Sequence, residues 1–240
     1  MQSARPDLTW QPLYKIGGIS AWVFVAMVLV PVILVFTAPV PPTEGRALLI
    51  YIADHKAVYL VQLICFVGLG IPALIAFAAV AVALAGVNKG LAAIGGLLGV
   101  ASEIIALAVG SSPQSLHGGL VLLSNDYASA TSDAERDSLV SAANALVAIA
   151  NGMPWAGILT AAGILVLSWV MLPAGSFGRA LAIVGIATGA LGIVSEALRP
   201  MIGSAYLLYG MLLPVWFGWV GVTLLRVPRR SVDAAASSAS

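Results

Sequence analysis

Charge is what this chain has least of. Its 240 residues hold 11 lysines and arginines and 10 aspartates and glutamates, 9% in all. A soluble domain carries about 25% charged residues, so a soluble globular protein of this length is excluded. The formal net charge is +1, which excludes a basic nucleic-acid surface and predicts no nucleic-acid partner. There is one cysteine, Cys65, so no intramolecular disulfide can form, and a small buried thiol is the expected state. The two histidines, His55 and His117, stand at no ligand-like spacing from each other or from an acid. A metal site is therefore not expected. Walker loop, dinucleotide fingerprint, GxSxG elbow and HExxH are all missing, so no cofactor is expected.

What is present is apolar. The chain is 60% hydrophobic, with a mean hydropathy of +1.03. About 20 apolar residues cross the hydrocarbon core as a helix, and six runs meet that length: 16–38, 57–84, 91–109, 153–172, 180–198 and 201–225. The first exceeds the 7–15 residues of a signal-peptide core and reads as a retained span. The second contains Gly68, Gly70 and Pro72 and should kink. The expected class is all-α: a polytopic bundle of six spans. Its membrane domain covers 16–226, between a cytoplasmic segment at 1–15 and a disordered tail at 227–240.

Basic residues set the orientation. With the N-terminus inside, the inner segments hold Arg5, Lys15, Lys89, Arg179, Arg226, Arg229 and Arg230. The outer ones hold Arg46, Lys56, Arg136 and Arg199. That asymmetry predicts both termini in the cytoplasm. The outer connections at 43–56 and 111–151 carry apolar residues in helical runs, so a short helical cap is expected there. Ser132-Asp133-Ala134-Glu135 is a capping-box pattern that should start one cap helix. The stretch from 133 to 172 is too long for one span and reads as a cap helix followed by span four, or as one bent helix.

Two glutamates interrupt this apolar background in matching settings. Shifting the chain by 93 residues lays 91–103 on 184–196. Gly96, Leu98, Gly99, Ser102 and Glu103 fall on Gly189, Leu191, Gly192, Ser195 and Glu196. The shift is two spans, so the repeat is parallel. Gly95 and Gly99, like Gly185 and Gly189, are four apart, a small-residue face for close helix approach and for possible oligomerisation. An acid inside a span costs about 2.5–3.5 kcal/mol and usually faces the bundle interior for a functional reason. Withdrawal from water also favours a carboxyl's neutral form, able to donate a proton or a hydrogen bond.

Helix rise places Glu103 roughly 18 Å, and Glu196 roughly 24 Å, from the inner ends of their spans. Arg199, three residues after Glu196, is placed to pair with it. Gln62, Asn151, Tyr206 and Tyr209 share that outer half. Glu103, Glu196, Arg199, Gln62, Asn151, Tyr206 and Tyr209 are thus the candidate ligand-binding residues, with Glu103 the catalytic candidate if the protein is an enzyme. Three functions suit this set. The first is binding of a small amphipathic or cationic ligand in an outward-facing pocket, as receptor, sensor or carrier. The second is an intramembrane enzyme using Glu103 as general acid on an isoprenoid or lipid-like substrate. The third is a membrane assembly partner.

The stretch VYLVQLICFVGLGIPALIAFAAVAVAL within 55–84 resembles a bacterial membrane-protein family of unknown function, domain-of-unknown-function family four-three-eight-six. LLSNDYASATSDAERDSLVSAANAL at 122–146 and GIVSEALRP at 192–200 are similar to it too. The resemblance covers most of the chain. It implies a multi-span protein of a bacterial plasma membrane and transfers no catalytic residue. Small membrane-bound terpene cyclases are similar in architecture alone.

Overall fold

A computed structural model describes residues 7–34, 36, 38–110, 116–152 and 155–237. The segments 1–6, 111–115 and 153–154, and the end of the tail, lie outside the described residues. Among those described, the helices in order are α1 (Gln11–Leu34), α2 (Gly45–Asp54), α3 (Lys56–Gly68), α4 (Gly70–Leu84), α5 (Lys89–Val109) and α6 (Gly118–Ser129). They are followed by α7 (Asp133–Gly152), α8 (Trp155–Met171), α9 (Arg179–Ala197), α10 (Arg199–Ile202) and α11 (Tyr206–Ser237). Six stretches are long and apolar enough to cross a membrane: Gln11–Leu34, Lys56–Leu84, Lys89–Val109, Asp133–Met171, Arg179–Ala197 and Tyr206–Val227. The all-α, six-span reading holds.

Local chemistry moves several boundaries. α1 begins at Gln11 rather than 16, because Pro12 fits a first helical turn, where its missing N–H costs nothing. The expected kink in the second run is a break at Leu69, between Gly68 and Gly70. The sixth span starts later than expected, at Tyr206. Gly203 takes φ +50°, a left-handed conformation that stops the short α10 and redirects the chain. At the other end α11 continues to Ser237 instead of giving way to a disordered tail from 227. Ala234, Ala235 and Ala236 are strong helix formers, and a polar composition does not by itself stop a helix.

The chain divides into two compact units. Unit 1 comprises residues 1–26, 70–105 and 155–240, and unit 2 comprises 27–69 and 106–154. Within the 133–172 stretch α7 belongs to unit 2 and α8 to unit 1, and residues 153–154 between them lie outside the described residues.

Unit 2 contains the helices expected at 43–56 and 111–151. Its core joins Leu48, Leu49 and Ile52 of α2, Tyr59 of α3, Leu116 and Leu120 beside α6, and Ala143 and Val147 of α7. Three polar ties fix its connections. Asn144 accepts from the Gly45 N–H at 2.8 Å, the Ser124 hydroxyl donates to the Leu49 carbonyl at 2.8 Å, and the Tyr59 hydroxyl meets the His117 backbone. Ser132 accepts from the Glu135 N–H, and Glu135 reaches back to the Thr131 N–H, so the capping box starts α7 as its pattern foretold. The exposed Arg46–Asp137 ion pair at 2.6 Å adds little to stability.

Glu44 caps α2, accepting from the Ala47 N–H at 2.8 Å and the Arg46 N–H at 2.9 Å. The Ala47 amide, then that of Arg46, holds its carboxyl below the usual glutamate range. A pKa depressed by folding contributes stability above the unfolded value and loses it as pH falls through the folded one. Hydrogen exchange at the Arg46 and Ala47 amides should therefore speed up as pH falls from roughly 6 to 3, beyond the change in intrinsic rate, in the wild type. Glu44→Ala should show low protection at every pH. Equal protection in the two proteins would remove Glu44 as the cap.

Unit 1 is organised around α8, which presents two neighbouring stripes. Gly157, Ala161, Leu165 and Ser168 face α9, whose Gly185, Gly189 and Gly192 lie so close that an added Cβ would meet them. Thr160, Gly163 and Leu167 face α5, where Gly95 lies against Leu167 and Gly99 against Gly163. The small-residue faces are thus packed against helices of the same chain. The repeat persists in three dimensions. Gly96 and Gly99 abut Ala81 and Phe77 of α4, the preceding helix, as their counterparts Gly189 and Gly192 abut Ala161 of α8. An aromatic cluster completes the interior: Phe24 stacks on Phe217 at 3.9 Å, and Phe77 and Trp216 close around it.

Candidate functional site

Helix contacts bring one set of helix ends together in unit 1. Gly185 meets Trp216 and Gly192 meets Tyr209, so α9 and α11 run antiparallel. Gly95 meets Leu167 and Gly99 meets Gly163, so α5 and α8 do too. The C-terminal turns of α5 and α9 therefore lie with the first turns of α8 and α11. Both glutamates are at this end.

Glu196 is in the last turn of α9 and 2% exposed. Its Oε2 pairs with the Arg199 guanidinium, as the i, i+3 spacing foretold. Its Oε1 accepts from the Tyr206 hydroxyl at 2.8 Å. Arg199 also lies over the Tyr206 ring, 5.2 Å from its centroid. Gly157 supplies the third side, since a Cβ there would overlap the Glu196 carboxylate. The missing side chain lets the carboxylate approach α8 closely. Both carboxyl oxygens of Glu196 thus have a partner.

Glu103 is six residues before the end of α5 and 5% exposed. Among the described residues only hydroxyls reach it: Thr160 at 3.2 Å and Ser102 at 3.3 Å, both on Oε1. These hydroxyls have competing acceptors. Ser102 donates at 2.6 Å to the Gly99 carbonyl, and Thr160 lies 2.8 Å from Ser102 and 3.1 Å from the Ala156 carbonyl. Each has one proton, so the carboxyl shares its donors with the backbone. Among the described residues no guanidinium or ammonium pairs with it.

Tyr209 connects the two sites. It is 2% exposed, its ring lies against Gly192 and edge-on to Tyr206 at 5.8 Å, and it is within electrostatic reach of both carboxyls. The structure therefore assembles Glu103, Glu196, Arg199, Tyr206 and Tyr209 within unit 1.

Gln62 and Asn151 fall in the other unit. Gln62 is on α3 and Asn151 on α7, both in unit 2. Gln62 is buried there and its Oε1 has no partner. His55 stacks on Tyr51 at 4.8 Å, and His117 caps α6 by accepting from the Gly119 N–H at 2.9 Å.

Thr160 and Gly157 were missed by the sequence reading. They are three apart near the start of α8, and each touches one of the glutamates. A lone threonine and a glycine at the start of an apolar run carried no signal without the fold. Two clefts formed by described residues lie elsewhere, one of about 120 Å³ beside Ser176 and Arg226 and one of about 420 Å³ between α1 and α11. No family model, curated protein or solved structure matches this chain.

Proposed function

We propose that this multi-pass membrane protein binds a small cationic or amphipathic ligand at Glu103. One asymmetry carries the reading. The chain contains the Ser-Glu motif twice, in matched helices of a parallel repeat. The second copy has a cation from its own chain, Arg199, on its carboxylate. The first has only hydroxyls. A cationic ligand would stand to Glu103 as Arg199 stands to Glu196, with the rings of Tyr209 and Tyr206 nearby for its apolar part. The reading includes a bacterial plasma membrane, both termini cytoplasmic, and membership of the uncharacterised family that the sequence resembles. Positive residues on the inner segments support the orientation.

The test is equilibrium binding of a lipophilic monovalent cation, tetraphenylphosphonium, to the full chain in vesicles. Saturable binding to the wild type should weaken by about tenfold in Glu103→Gln. Glu44→Gln, in unit 2, should bind as the wild type does. Equal affinity in the wild type and Glu103→Gln would end the proposal.

A further inference from the structure

The opposite end of unit 1 is basic. α1 and α11 run antiparallel, since Gly18 meets Leu225 and Phe24 stacks on Phe217, so Lys15 lies at the same end as Arg226. The antiparallel contacts of α9 and α5 bring Arg179 and Lys89 there as well. The acids in the described residues of that end are Asp7, ahead of α1, and Asp233, late in α11, against these four and Arg229 and Arg230, so the end is net positive.

Two clefts meet on α11 at this end. The smaller, about 120 Å³, is formed by the turn Gly175–Gly178 and by Trp219, Thr223 and the exposed Arg226. Its polar side chains are the Arg226 guanidinium and the hydroxyls of Ser176 and Thr223, the latter donating to the Trp219 carbonyl at 2.9 Å and left to accept. The larger, about 420 Å³, runs along the span between α1 and α11 and is apolar throughout. Trp22 and Val25 form one wall, Pro214 and Val215 the other, and Gly218 leaves its floor without a side chain. Trp219 and Val222 line both clefts, so the two adjoin along α11. From Arg226 to Pro214 the track spans roughly 18 Å of helix.

We propose that this track holds an anionic phospholipid, its phosphate at Arg226 and one acyl chain in the groove beside Gly218. Each part of the occupant meets its complement in order along the span. The guanidinium presents several N–H donors to phosphate oxygens, and the hydroxyls of Ser176 and Thr223 border the same cleft. Trp219 stands at the junction, where an amphipathic ring suits the headgroup boundary. The groove below offers only apolar surface, so a free phosphate would use the upper cleft alone. The charge of this end favours an anionic lipid over a zwitterionic one. The proposal concerns the end remote from Glu103 and does not depend on the reading given to that residue.

The experiment uses the full chain in phosphatidylcholine vesicles doped with brominated lipid, reading quenching of tryptophan emission. The Trp219→Phe variant identifies the share due to Trp219. Brominated phosphatidylglycerol should quench Trp219 at about one-fifth the mole fraction that brominated phosphatidylcholine requires. Arg226→Gln should erase that preference. Gly218→Leu, which fills the groove, should weaken quenching by both lipids. Arg179→Gln, at the same end but outside the cleft, should leave the preference intact. Equal quenching by the two lipids in the wild type would overturn the proposal. So would an equal loss in Arg179→Gln and Arg226→Gln, which would mean diffuse surface charge. Displacement of the lipid by millimolar inorganic phosphate, with Gly218→Leu unaffected, would assign the cleft to a free anion instead.

Discussion

Arg199→Ala is expected to destabilise unit 1 by about 3–5 kcal/mol, the usual effect of leaving one member of a buried ion pair uncompensated. The pair is well enclosed: the Glu196 and Arg199 side chains are 3% and 12% exposed. Removing the guanidinium leaves Glu196 with the Tyr206 hydroxyl, which carries no full charge. The Arg199 contact with the Tyr206 ring is lost too. Adding Glu196→Gln to Arg199→Ala should recover most of the loss, because the stranded charge is then gone. The measurement is reversible unfolding in mixed micelles for the wild type, both single variants and the double variant, analysed as a cycle. A loss below about 1 kcal/mol for Arg199→Ala would show the pair to be an ordinary surface contact.

Gly163→Val should cost about 2–3 kcal/mol, near the upper end of the usual range for overpacking. A Cβ at Gly163 would lie 2.8 Å from the Gly99 nitrogen and 2.9 Å from the Gly95 carbonyl oxygen. Both neighbours are main-chain atoms of α5, which cannot swing aside as a side chain tip does. Relief requires α5 and α8 to separate, which also loosens Leu167 from Gly95. A matched control comes from Gly210 in α11, where an added Cβ meets nothing within 4 Å. Gly210→Ala should stabilise by up to about 1 kcal/mol through helix propensity alone. The same unfolding assay reads both. If Gly163→Val is as stable as the wild type, the close approach of α5 and α8 is wrong.

Much of this arrangement could be read from the chain, because membrane helices are announced by composition and length. The capping box at Ser132, the break near Gly68, the Glu196–Arg199 pair and the paired Ser-Glu motifs all rest on local spacing. What escaped reading rests on rotation about helix axes. Every residue of an apolar span looks alike in hydropathy, so nothing in the sequence says that Thr160 turns toward Glu103 while Gly157 turns toward Glu196. The glycine spacings announced close helix approach but not its partner, and the partner is a helix of the same chain.

The position of α8 has a thermodynamic consequence. Thr160 and Gly157 lie within one turn of a single rigid rod, so the rod cannot turn about its axis without altering both carboxyl environments. Whatever shifts it at Glu103 changes how tightly Glu196 holds Arg199 and Tyr206, and linkage makes the influence equal in the other direction. Two acids that share no hydrogen bond are thereby joined as the two pans of one balance, with α8 as the beam.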